Sequence, residues 1–316
     1  MHRYGPVPRS LVAIGAACAL VLTVGPTRGV ATPAAPAAHN GRIAYSVGPI
    51  LPEPDLSGAS QVFTVNPDGS DVRQLTHVAA PDQAGDPNYS PDGTRIAYVS
   101  NAGGTFQIWT MRADGTGQRQ LITDPGHDAF VPRWAPDGKH LVYTRCTAPF
   151  GFTECTIAVV GRDGHGVHDI TGGHWVDFDA RYSPDGRTIA FSSNREGLLA
   201  AIWRMAPDGG GLRRLTGPDL EAFWPDYAPD GAHVLFTSNF ERPISQIYTM
   251  TPNGKRVTQL TSFTDQSGDF ASYSPDGRQV VLDFNGALAV MNADGSGIHT
   301  IVSPDNLVLA DWGPRS

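Results

Sequence analysis

Apolar and polar residues alternate in short runs along this chain, and the runs recur as a set. One run reads RIAYVS from Arg95, HLVYTR from His140, TIAFSS from Thr188, HVLFTS from His233 and QVVLDF from Gln279. A second follows each of these: IWTM from Ile108, IAVV from Ile157, IWRM from Ile202, IYTM from Ile247 and LAVM from Leu288. A short last run closes the unit, as RQLI from Arg119, RRLT from Arg213 and TQLT from Thr258. Such runs, rich in β-branched and aromatic residues, predict strands. No long pattern of helical period is present.

Turn signals separate the runs. An aromatic–small–Pro–Asp–Gly phrase places its aromatic at Tyr89, Trp134, Tyr182, Tyr227 and Tyr273, at spacings of 45, 48, 45 and 46 residues. Pro presets φ at the first turn position, Asp bonds the local backbone, and Gly takes the left-handed position. This predicts a type I turn plus bulge joining two strands. A second turn recurs at Asp114-Gly115, Asp163-Gly164, Asp208-Gly209, Asn253-Gly254 and Asp294-Gly295. The stretch NPDGSD from Asn66 carries oxygens, but their spacing does not match a calcium loop. Pro87, Pro132 and Pro225 sit two positions before the aromatic. That placement suits an inner strand with one free edge.

Four strands per unit at this period predict an all-β fold, a β-propeller of four antiparallel strands per blade. The segments GRIAYSV (41–47), QVFTVNPDGS (61–70) and RQLT (73–76) form a unit lacking its first strand. LVLADWGP (307–314) supplies that strand, with Trp312 at the aromatic position. The prediction is six blades, with the C-terminal strand joining the N-terminal blade to close the ring and remove exposed edges. Asn285-Gly286 shortens the last full unit by a two-residue hairpin.

Composition agrees with a loop-rich β protein: 36 Gly, 26 Pro and only 17% charged residues. Residues 1–31 stand apart. Arg3 and Arg9 precede an apolar core, LVAIGAACALVLTV (11–24), and Gly29-Val30-Ala31 offers a small-x-small cleavage signal, with Ala35-Pro36-Ala37 as a second. This predicts a secretory signal peptide. The alternatives are an uncleaved anchor and a weak lipoprotein box at Cys18. Residues 32–40 read as an Ala/Pro-rich linker and 41–316 as the propeller. Removing 1–31 takes away Arg3, Arg9 and Arg28 and leaves 20 basic against 31 acidic residues, a net −11. Nucleic acid is a poor partner for so acidic a chain. Cys146 and Cys155 remain, and in an exported protein two nearby cysteines predict a disulfide. Such a bridge contributes roughly 2.5–3 kcal/mol by loop-closure entropy.

The phrase aromatic-Ser/Ala-Pro-Asp-Gly, then Ile-Ala-Phe/Tyr, Ile-Trp/Tyr-x-Met, Asp-Gly and Arg-Gln-Leu-Thr resembles the TolB-type, WD40-like propeller repeat, over residues 41 to about 314. The resemblance implies a six-bladed propeller in the cell envelope or outside the cell. TolB itself binds proteins of the Tol–Pal system, but this sequence leaves no room for the α/β domain that precedes the TolB propeller. Related propellers cap prolyl-oligopeptidase-type hydrolases, and no G-x-S-x-G stretch stands here.

A propeller does not name its function, so the site must come from the loops. The inter-blade loops and those joining the second and third strands share one face. They bring Asp82, His127, Asp128, Asp177, Asp179, Glu221, Asp269 and Asp305 toward one mouth. A partner-binding face and a merely hydrated acidic rim both fit. Phe130, Trp175, Phe178, Phe223, Trp224 and Phe270 lie nearby, as blade packing or as a floor for a partner peptide. The loop 48–60 is the longest insertion there. His77, His127 and His174 come from three consecutive junctions and are weak candidates for a metal. Oligogalacturonate lyases, which are similar propellers, use channel histidines and a metal. The leading expectation is an exported, non-catalytic monomer that binds a protein or peptide, with no cofactor and no transmembrane helix in the mature chain. The alternative is a metal-dependent lyase or hydrolase acting at the channel mouth.

Overall fold

The computed structural model describes residues 40–48, 59–149, 154–172, 174–197, 199–239, 244–303 and 307–315. The segment 1–31, most of the linker, much of the loop 48–60 and Asp305 lie outside them. Six four-stranded antiparallel sheets are present, each ordered from an inner to an outer strand. Blade 1 spans 84–120, blade 2 spans 127–169, blade 3 spans 177–214, blade 4 spans 223–259 and blade 5 spans 268–302. Blade 6 takes its three outer strands from 40–74 and its inner strand from Leu307–Pro314. Strand number, blade number and the mode of closure all match the sequence expectation. The outer strands are shorter than the sequence runs, only two residues long in five blades.

The turns form as their chemistry requires. Gly93 and Gly138 take φ of 69° and 63°, and Oδ1 of Asp92 and Asp137 accepts the N–H two residues on, at 3.0 and 2.8 Å. Asn285-Gly286 turns with both φ positive, as a two-residue hairpin demands. The Thr that follows the outer strand in four blades has its own task. Oγ1 of Thr76, Thr171, Thr216 and Thr261 accepts an N–H near the start of the third strand, at 2.9 to 3.0 Å.

The core lies between blades rather than within one. Leu121 and Ile122 of blade 1 pack with Trp134, Leu141 and Tyr143 of blade 2, and the same arrangement recurs around the ring. Cross-strand aromatic pairs fill the blades: Tyr45 faces Phe63 at 5.6 Å and Phe236 faces Tyr248 at 5.4 Å. Cys146 and Cys155 stand directly opposite each other in a hairpin and form the expected disulfide. Both are buried beside Phe106 and Phe130.

The second Asp-Gly turn docks each blade on its neighbour. A Cβ at Gly164 would press into the carbonyl oxygen of Leu121 in the preceding blade, and φ there is +90°. Gly126, at φ +86°, has open space around it. Gly164→Ala is therefore expected to cost about 2 kcal/mol or more, and Gly126→Ala only the left-handed penalty of about 1–2 kcal/mol. Urea midpoints of the two variants compare them directly, and equal midpoints would remove the docking contact from the account.

Candidate functional site

Position on the inner strand decides which side chains reach the channel. In five blades the ladder between the first and second strands skips the residues three and two before the repeat aromatic, and in blade 6 the skip falls one residue earlier. Asp86, Val131, Asp179, Trp224 and Phe270, each three residues before that aromatic, take left-handed φ of 49° to 54°. Pro87, Pro132 and Pro225 fall in the skipped stretch, where no ladder N–H is needed. A recurrent bulge of this kind re-aims side chains. It turns the residues three and one before the aromatic toward a common centre. Val131, Arg133, Asp179, Arg181, Trp224, Phe270 and Leu309 line one cavity of about 10 Å³, room for a single water.

One part of this centre is charged. Arg181 Nη1 lies 3.2 Å from Asp226 Oδ1 and 3.5 Å from Asp311 Oδ1. Arg133 is 3% exposed and sits in the field of Asp86, Asp179 and Asp311. Burial, with Arg181 close by, pulls its guanidinium down to about 10. The Asp and Asn side chains one residue before the aromatic also hold the ring together. Asp311 Oδ2 accepts the Tyr89 N–H at 2.9 Å, Asn88 Oδ1 that of Trp134 at 2.7 Å, and Asp226 Oδ2 that of Tyr273 at 2.8 Å. Each bond ties one inner strand to the next. Four acids face two arginines, so the centre favours an added positive charge or a retained proton. The other part is aromatic: Phe178, Phe223, Trp224 and Phe270 form a ladder with centroid steps of 6.1, 5.4 and 4.1 Å.

Burial pushes the Asp179 carboxyl up to about 7 and Asp86 up to about 6, against the partial relief given by Arg133. Burial also raises Asp283 to about 7, beside Asp269 directly across the strand pair. In each case the folded value lies above the unfolded one. Their contribution to stability is complete below about pH 4 and is lost as pH rises through 6 to 7. The turn carboxylates Asp92 and Asp137, held low, act oppositely and lose their contribution only as pH falls below the ordinary carboxylate range. The melting temperature is thus expected to fall from about pH 5 to pH 8, and Asp179→Asn to flatten that fall. An unchanged slope in the variant would show that Asp179 is ionised throughout.

The residues singled out in the sequence divide sharply. Asp128, Asp177 and Asp179 are 5%, 1% and 6% exposed, so none stands on an open rim, and Asp179 lines the central cavity. Asp128 Oδ1 accepts the Phe106 N–H at 2.9 Å, and Asp177 holds Arg195 through both oxygens at 2.7 Å. Asp82, Glu221 and Asp269 are partly exposed. His127 lies against Arg145 and Asp124, at 3.0 and 3.3 Å. His174 is exposed beside Glu154, and His77 is exposed elsewhere. Among the described residues no group of three or more His, Cys, Asp and Glu is placed to hold a metal, so the three histidines do not come together as ligands. Phe130 packs inward on Phe106 at 5.2 Å, whereas Trp175 is 42% exposed. Arg133, Arg181, Asp226 and Asp311 escaped the sequence reading. Their signal was a fixed offset, one residue before the repeat aromatic. Among the described residues no helix is long and apolar enough to cross a membrane.

The comparisons agree with the fold. A Tol-Pal system protein TolB of Anaeromyxobacter sp. is 30% identical over 147 residues, 44% of this chain and 31% of that protein. Dipeptidyl-peptidase 5 of Porphyromonas endodontalis is 39% identical over 107 residues, 33% of this chain and 15% of that enzyme. The chain thus spans less than half the length of these relatives. The crystal structure of TolB from Acinetobacter baumannii superposes with a TM-score of 0.72 at 24% identity, over 87% of this chain and 67% of that one, a likeness of fold. The model of the TolB beta propeller domain matches residues 53–158 and 116–314, and the chain belongs to that family.

Proposed function

We propose that this propeller is an exported, non-catalytic binding module that docks a protein or peptide over the channel mouth. The observation that carries the reading is the aromatic ladder Phe178–Phe223–Trp224–Phe270 set beside a centre with more acids than arginines. Aromatic surface at the middle of an interface anchors apolar partner side chains, and the acids attract a Lys or Arg of the partner. The similarity to a Tol-Pal system protein TolB supports a protein partner in the envelope. The disulfide and the apolar leader support export. Asp82, Glu221 and Asp269 form the outer part of this face in the proposal. The metal-dependent lyase reading has no ligand cluster among the described residues to carry it.

The test is crosslinked capture from the native envelope with the tagged mature protein and its Trp224→Gly variant. Glycine keeps the left-handed backbone of position 224 unstrained while removing the indole. A protein held by wild type and lost by the variant, with melting unchanged, supports the reading. Equal capture by both removes the aromatic ladder from it.

A further inference from the structure

On the other face, between blades 1 and 2, lies a cleft of about 750 Å³. Its walls carry Arg95, Arg119 and Arg162, with Thr110 and Trp134 beneath. This volume suits a small organic ligand. It differs from the matching cleft between blades 4 and 5, which has about 380 Å³ and His233 and Ala293 where Arg95 and Arg162 stand here.

Hydrogen-bond accounting points to the ligand. Six residues after its repeat aromatic, blade 3 offers Thr188, whose hydroxyl meets the Tyr227 hydroxyl of the next blade at 3.1 Å. Blade 1 offers Arg95 at that position, and the next aromatic is Trp134. Guanidinium and indole N–H are both donors only, so neither can satisfy the other. Trp134 is 9% exposed and its Nε1 finds no acceptor. Thr110 is 1% exposed, and its hydroxyl likewise lacks a partner. Among the described residues, none of the three guanidinium groups donates a hydrogen bond. Asp92, Asp137 and Asp163 also line the cleft, each with Oδ1 held in its own turn, and none meets the Trp134 indole or the Thr110 hydroxyl. Asp92 Oδ1 accepts from Thr94 N, Asp137 from Lys139 N and His140 Nδ1, and Asp163 from His165 N. What these two core-side donors lack is an acceptor, and a buried donor without one is costly.

We propose that this cleft binds the oxyanion of a small ligand, a carboxylate or a phosphate. Arg95, Arg119 and Arg162 supply charge, and the Thr110 hydroxyl and the Trp134 indole N–H are the donors nearest the core. Arginine forks match both anions. The cleft lies on the face opposite the channel mouth, so the proposal stands apart from the docking reading above.

The test follows the indole N–H signals of the ¹⁵N-labelled protein by NMR, with Trp134→Phe to assign its own. Inorganic phosphate and succinate are the probes, and sodium chloride of matched ionic strength is the control. The expected result is a saturable shift of the Trp134 signal, with the mouth-side Trp224 signal still. Arg95→Gln/Arg162→Gln, at exposed positions, should weaken the apparent affinity about tenfold or more. A response to phosphate alone assigns a phosphate ligand, and one to succinate alone a carboxylate. A Trp134 signal unmoved by both probes, moved equally by sodium chloride, or moved equally in the double variant would overturn the proposal.

Discussion

Deletion of residues 307–316 is expected to abolish cooperative folding. The strand Leu307–Pro314 is the inner strand of blade 6 and pairs with Asn40–Val47, placing Trp312 opposite Ile43 and Asp311 opposite Ala44. Trp312 is 4% exposed, packs with Ile43, Tyr45 and Val290, and donates its indole N–H to the Gly41 carbonyl at 3.2 Å. Asp311 accepts the Tyr89 N–H of blade 1 and lies 3.5 Å from Arg181 of blade 3. Removing the strand therefore strips an edge, an aromatic anchor and a charge that reaches three blades away. An open ring also exposes the freed edge of strand Asn40–Val47, a template for association. The expected thermal melt of the truncated chain shows no sharp transition. Trp312→Ala, which leaves the ladder intact, should cost about 3–5 kcal/mol and keep a cooperative melt. A truncated chain that melts cooperatively near the wild-type temperature would mean that closure adds little.

The ring was readable because the repeat repeats its physics. Every PDG phrase needs the same turn, every Leu-Thr end caps the same N–H, and Trp312 stands where the other units place their aromatic. The candidate site was less readable. Loop position suggested that Asp128 and Asp177 face outward, yet each sits at the first turn of an inner strand with a donor waiting for it: the Phe106 N–H for one, the Arg195 guanidinium for the other. Arg195 comes from the loop joining the second and third strands, 18 residues on, and no local pattern announces such a pair. The channel charges were hidden differently. Arg133 and Arg181 read as ordinary strand residues until the bulge, invisible in a sequence of Phe-Val-Pro or Phe-Asp-Ala, turns them inward. Asp86 and Asp179 are legible as carboxylates, but the burial that pushes their titration upward is a property of six strands meeting.

Asp177→Ala is expected to destabilise the protein by about 3–5 kcal/mol, the cost of leaving a buried charge without its partner. The Asp177 side chain is 1% exposed and that of Arg195 11%, and Arg195 Nη2 lies 2.7 Å from each carboxylate oxygen while its Nε donates to Ser193 Oγ. The guanidinium also lies 5.1 Å from the ring centres of Phe191 and Trp203, so it has no path to water that keeps those contacts. The double change Asp177→Leu/Arg195→Met removes both charges and keeps the volume, and it should recover most of the loss. Urea unfolding of the single and double variants measures both quantities in one cycle. A single variant within about 1 kcal/mol of wild type would show the pair to be as loose as a surface ion pair. The consequence reaches the functional question. A partner lost on Asp177→Ala alone would report a weakened blade 3, whereas a partner lost on Trp224→Gly with blade 3 intact would report the mouth itself. Only the second outcome locates binding, because Asp177 serves the scaffold and Trp224 stands in the ladder that the scaffold presents.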